Sequence, residues 1–193
     1  MTKPKGPSFV ERVREDASRY LQELLVENER LRADFVTVQE EISGLANLFV
    51  AVSSVTGTRD RARIVSAIEE VVVNIVGSEE VAIFALDGKS LTLVSSVGVP
   101  ADEFKRVELG SGVIGQVAQS GEAYIPLEDD VPRESCAGHP VNACVPLTVD
   151  GVVTGVIAVF RLLQQKPRLT ESDVELLRLL GTHGGASLAC ARS

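Results

Sequence analysis

A chain of 193 residues, 45% hydrophobic and 24% charged, has room for one ordinary domain plus an extension. Its net charge of −8 and sequence pI near 4.9 exclude a general nucleic-acid or anionic-membrane surface. Aromatics make up only 4% and Trp is absent, so Val, Leu, Ile and Ala must build the core. Three cysteines without scaffold-like spacing point to a reducing, cytoplasmic setting. No apolar signal segment opens the sequence, and the longest apolar run, Gly151 to Phe160, is too short to span a bilayer, so no membrane insertion is expected.

Residues 1–8 hold two prolines and a glycine and read as disordered. Residues 9–56 contain no proline and alternate charged with apolar residues at helical spacing. A heptad seam runs through Leu21, Leu24, Asn28, Leu31, Phe35, Val38, Ile42, Leu45, Phe49 and Val52, and Asn28 is its one polar member. A lone Asn at an a position pairs with its symmetry mate and selects a parallel, in-register pair of helices. Glu27 at g and Arg32 at e have the spacing of an interhelical ion pair in such a dimer. Upstream, Arg14 falls at an a position, so the expected homodimeric coiled coil covers about residues 17–56. The competing expectation is an amphipathic helix packed on its own domain.

Thr56 to Asp60 breaks this helix, with Thr58 or Asp60 as the next N-cap. Residues 61–76 return to helical period and Gly77 closes them as a left-handed glycine would. The period then changes to two. Runs 80–86 and 91–97 flank Asp87-Gly88, and runs 143–149 and 152–160 flank Asp150-Gly151, each dipeptide suited to a type I′ hairpin. The first and last runs are apolar on both faces, so the sheet must be covered on both sides. Between the hairpins lie a short strand near 106–109, a short helix near 113–119, an extended stretch 123–127 and an irregular loop 128–140. Thr170-Glu-Ser-Asp173 has capping-box spacing and starts a last helix, which Gly181, Gly184 and Gly185 are expected to weaken or bend.

Gly110, Gly112 and Gly115 spell G-x-G-x-x-G, which in a βαβ unit would cradle a pyrophosphate at a helix N-terminus. Glu128 even lies where a ribose-binding acid would fall. Three features oppose that reading. The following helix is cut short at Ser120-Gly121, Pro126 interrupts the supposed second parallel strand, and the remaining strands form antiparallel hairpins.

The same glycine turn, together with the Gly121–Pro126 stretch, Ala143–Leu147, Gly151–Ile157 and Leu169–Leu177, resembles a GAF domain, a small α/β sensor of signalling proteins. The resemblance covers about residues 45 to 192. It implies an α+β fold with a six-stranded antiparallel sheet, terminal helices on one face and a ligand pocket under the middle segment on the other. With the N-terminal helix, the expected organisation is a disordered 1–8, a coiled coil over 9–56 and the GAF domain over 57–193, its first helix overlapping 45–56. The implied pocket candidates are Val97, Leu109, Ile114, Val117, Ile125, Asp129, Cys136, His139, Asn142 and Cys144.

The residue patterns associated with cyclic-nucleotide and bilin binding are not recognisable, so no cofactor is assigned and any ligand is an unknown small molecule. Cys136, His139 and Asp129 or Asp130 match no strong zinc spacing. Some stand-alone members of the family are free methionine-(R)-sulfoxide reductases. In this sequence such an activity would rest on Cys136 and Cys144, but the cysteine expected beside the glycine turn falls near Ile114. The expected function is therefore a non-enzymatic, homodimeric regulatory protein. It senses a small ligand, or acts as an adaptor through its helices, and passes output to a downstream signalling protein. The alternatives are the reductase and a scaffold without ligand.

Overall fold

The structure is a computed structural model that describes residues 9–126 and 131–191. The expectations for residues 1–8 and for Asp129 and Asp130 lie outside the described residues. Helix α1 runs Phe9–Thr56 and α2 runs Arg61–Val71. Strands β1 (Ser78–Asp87) and β2 (Ser90–Val97) follow, then a 3₁₀ turn Ala101–Phe104, β3 (Arg106–Glu108) and α3 (Gly112–Ser120). The chain closes with β4 (Ala143–Val149), β5 (Val152–Leu162) and α4 (Glu171–Cys190). It divides into two compact units, one up to Leu45 and a second from Ala46 onward.

In the first unit the apolar seam residues of α1 are exposed. Leu21, Leu24, Leu31, Phe35, Val38, Ile42 and Leu45 are 48% to 67% exposed. In the second unit Phe49 is exposed as well. There α1 uses a different stripe: Ala51 and Val55 are fully buried in the domain core and Leu48 packs against it. Packing on its own domain thus belongs to the last turns of α1 and leaves Phe49 free. By length and composition alone, one stretch of α1 would also pass for a membrane-crossing helix, with a mean hydropathy of 1.2.

Asp60 is the N-cap of α2, its carboxylate accepting from the N–H groups of Ala62 and Arg63. The last turn, Val72–Val76, widens to a π-helix that ends on Gly77 at φ 76°. Asp150 and Gly151, at φ 48° and 80°, form the expected type I′ turn. The first hairpin is shifted by one residue. Asp87 pairs with Ser90, which makes Gly88-Lys89 the turn. Gly88 alone has positive φ, and a glycine at the first central position suits the II′ family.

Among the described residues the sheet has five strands in the order β3-β2-β1-β5-β4, all neighbours antiparallel, where six are expected. Of the extended stretch expected at 123–127, the described residues up to Pro126 contribute a single bridge, in which Tyr124 and Cys144 exchange both backbone hydrogen bonds at 2.8 Å. In an antiparallel ladder the next hydrogen-bonded pairs would be Pro126 with Asn142 and Glu122 with Pro146. Each contains a proline without an N–H, so the ladder cannot extend either way.

Both faces of the sheet are covered, as its two-sided apolar strands require. Val81, Ile83, Val145, Leu147, Ile157 and Val159 meet α2, α4 and the end of α1. Ala82, Phe84, Cys144, Val156, Ala158 and Phe160 meet the middle segment. The capping box at Thr170 and Asp173 forms as expected. Gly181, Gly184 and Gly185, however, do not interrupt α4, which continues to Cys190. They bring its backbone onto β4. A Cβ on Gly181 would sit 2.5 Å from the Pro146 carbonyl oxygen, and one on Gly185 would sit 2.5 Å from the Thr148 nitrogen.

Gly185→Ala tests this packing. The better helix propensity of Ala is worth roughly 1 kcal/mol, whereas a methyl group driven into strand backbone costs about 1–3 kcal/mol and more where nothing can yield. Denaturant unfolding is expected to show a net loss of stability.

Candidate functional site

The glycine turn roofs the sheet. Gly110 and Gly112 have φ 80° and 57°, a region that side chains enter only under strain, and Gly115 packs against the backbone of Glu108 and Gly110. The N-terminus of α3 is not open to a phosphate. The Val113 N–H donates to the Glu134 carbonyl at 3.2 Å, and a Cβ on Gly112 would lie 2.6 Å from the Cys136 nitrogen. The strap from Val131 to Asn142 therefore lies across the site a pyrophosphate would need. The strap is closed on itself: Val141 N–H donates to the Arg133 carbonyl, Ser135 N–H to the His139 carbonyl, and His139 N–H to Ser135 Oγ.

Under this roof the space is filled by side chains. Phe104, delivered by the 3₁₀ turn, is fully buried, with ring centroids 5.1 Å from Phe160, 5.4 Å from His139 and 6.4 Å from Phe84. His139 Nε2 lies 2.7 Å from Glu103 Oε2, which fastens the strap to the same turn. Phe104 and Glu103 are not among the residues expected from sequence. Their one signal there is a lone Phe between two strands in a chain poor in aromatics.

The expected pocket residues divide between the two faces. Ile114, Val117 and Cys144 are buried together under the roof, with Leu109 packed at their margin. His139 closes the aromatic cluster from the strap, and Cys136 is exposed. Val97 lies directly opposite Val81, which belongs to the helix-side core. Ile125 also packs on that core. Both therefore sit across the sheet from the roofed residues, because strand alternation sends their side chains the other way. Asn142 donates from Nδ2 to the Phe160 carbonyl at 2.5 Å and borders a surface groove with Ile125 and Pro126.

The three cysteines sit in different environments. Cys144 is completely buried and burial pushes its thiol far above the ordinary value. Desolvation also raises the Cys136 thiol, although backbone N–H groups of Cys136 and Ala137 work against it. Cys190 is exposed near the end of α4. Among the described residues no group of three or more His, Cys, Asp or Glu side chains could hold a metal ion.

Residues 58–189 match the GAF domain family. A Nif-specific regulatory protein of Herbaspirillum seropedicae is 29% identical over 120 residues, covering 55% of this chain and 22% of that protein. The chain thus spans about a fifth of the length of this relative. Solved structures that share the fold include the following two. The GAF domain of a phosphoenolpyruvate-protein phosphotransferase from Coxiella burnetii superposes with a TM-score of 0.62 at 14% identity, over 77% of this chain and 94% of that one. A free methionine-R-sulfoxide reductase from Neisseria meningitidis, in complex with its substrate, gives 0.56 at 22% identity, over 75% and 87%.

Phe104→Ala is expected to lower the unfolding free energy by about 3–5 kcal/mol, the usual cost of emptying a buried aromatic site. Chemical denaturation measures it, and a loss under about 1 kcal/mol, the scale of an ordinary surface substitution, would mean the ring is not packed as described.

Proposed function

The chain belongs to the GAF domain family, and from that membership we propose that it is a non-enzymatic, homodimeric regulatory protein of the cytoplasm. Its output passes to a partner protein through its helices. The carrying observation is the apolar seam of α1, exposed from Leu21 to Phe49 and interrupted only by Asn28. A contiguous apolar stripe of this length demands cover. A second copy supplies it in register, with the two Asn28 amides paired across the seam. The Nif-specific relative is a regulatory protein, which agrees with this reading.

Three features favour a non-enzymatic role. The interior under the roof is occupied by Phe104, Ile114 and Val117. Cys144 is buried with its thiol strongly disfavoured as thiolate. The cysteine expected of a free methionine-R-sulfoxide reductase beside the glycine turn falls near Ile114, which is apolar and fully buried. The Neisseria structure is a likeness of fold and carries no activity to this chain.

Sedimentation of the full chain is expected to give a dimer, and Phe35→Asp a monomer, since a charge at an a position opposes its own mate. Any truncation should begin no later than residue 46, because Ala51 and Val55 belong to the domain core. A monomeric full chain, or one recovered with membranes, overturns the coiled-coil reading. For the enzyme alternative, wild type and the Cys136→Ser/Cys144→Ala variant are expected to reduce free methionine-R-sulfoxide equally, at the uncatalysed rate.

A further inference from the structure

At the margin of the roofed core, α3 borders an open cleft of about 390 Å³, the size of a small-molecule site. Its apolar lining comes from Val113, Val117 and the Tyr124 ring, and its polar lining includes Gln116, Gln119, Glu122 and Arg133. The guanidinium of Arg133 lies 5.4 Å from the centroid of the Tyr124 ring, while the Arg133 backbone N–H donates to Tyr124 Oη at 2.8 Å. Stacking and hydrogen bond together hold the two residues as a unit.

Among the described residues the Arg133 guanidinium forms no ion pair, and neither does the Glu122 carboxylate; the exposed ion pairs elsewhere on the domain involve other residues. Two opposite charges therefore line one small cleft without neutralising each other. A simple anion drawn to Arg133 meets the field of Glu122, and a simple cation meets that of Arg133. A molecule carrying both charges satisfies both. A planar guanidinium matches a carboxylate with two parallel hydrogen bonds, and a carboxylate accepts from an ammonium. The amides of Gln116 and Gln119 add donors and acceptors, while Val113 and Val117 offer an apolar wall.

We propose that this cleft binds a free α-amino acid as its zwitterion, with the carboxylate on Arg133, the ammonium on Glu122 and the side chain against Val113 and Val117. The cleft shares Val113 and Val117 with the edge of the roofed core, opens to the surface, and does not depend on dimerisation. Bound there, the ligand ties together α3, the segment carrying Tyr124 and the strap carrying Arg133. Tyr124 is the residue that pairs with β4, so occupancy bears directly on the edge of the sheet.

The test is calorimetric titration of the full chain with each common L-amino acid at millimolar concentration. At least one is expected to bind. For that amino acid, Arg133→Met and Glu122→Gln are each expected to weaken binding about tenfold or more, the scale of one lost hydrogen bond to a charged group. Both side chains are exposed, and circular dichroism checks that the variants fold. The deaminated acid and the decarboxylated amine of the same compound are expected to bind far more weakly than the parent. Absence of binding by every amino acid, indifference to both substitutions, or equal binding of the deaminated acid overturns the proposal. The readout is heat of binding, so it fails independently of the dimer, which is read from sedimented mass.

Discussion

The pairing of β1 with β5 is the constraint around which the molecule is arranged. Seven registered pairs run from Ser78 opposite Leu162 to Ala85 opposite Gly155, and both strands carry apolar side chains on both faces. A strand pair of this kind cannot leave either face in water. One face takes Val81, Ile83, Ile157 and Val159 to the helices, and the other takes Ala82, Phe84, Val156 and Phe160 to the roof. Every remaining element answers the demand for cover. The terminal helices meet it with amphipathic faces, and the middle segment meets it with Phe104 and the short helix after the glycine turn.

Much of this was legible in the sequence because the signals were local. Period two on both sides of Asp150-Gly151, the capping box at Thr170 and the left-handed glycine at 77 each depend on a few adjacent residues. The failures needed partners distant in the chain. Pro126, opposite Asn142, stops the ladder on one side, but only the register that sets Glu122 opposite Pro146 explains why Tyr124 keeps a single bridge. Gly181 and Gly185 look like helix breakers until β4 is placed beneath them. The first turn slipped by a residue because Gly88 serves II′ geometry as readily as I′, and local composition does not separate the two.

The site was harder to read than the fold. Ile114, Val117 and Cys144, which the glycine turn points to, lie in one buried cluster. Val97 and Ile125 were grouped with them although alternation along a strand sends residues to opposite faces, and a bulge between Ile83 and Phe84 makes that parity hard to follow. The aromatic cluster of Phe84, Phe104, Phe160 and His139 joins four separated segments, so no window of sequence contains it. The Arg133–Tyr124 stack spans nine residues across a loop and has no periodicity to announce it.

The glycine contact between α4 and β4 bears on how the domain carries force. Most helices rest on a sheet through a layer of side chains, and that layer absorbs small displacements by changing rotamers. Here Gly181 and Gly185 set helix backbone directly against the backbone of Pro146 and Thr148. At its other end α4 is pinned by Lys166, which pairs with Asp173 and donates to the Val76 carbonyl at the close of the π-helix. At Gly181 and Gly185 no side chain separates helix from strand, so a translation of α4 is expected to reach the edge strand there with little damping.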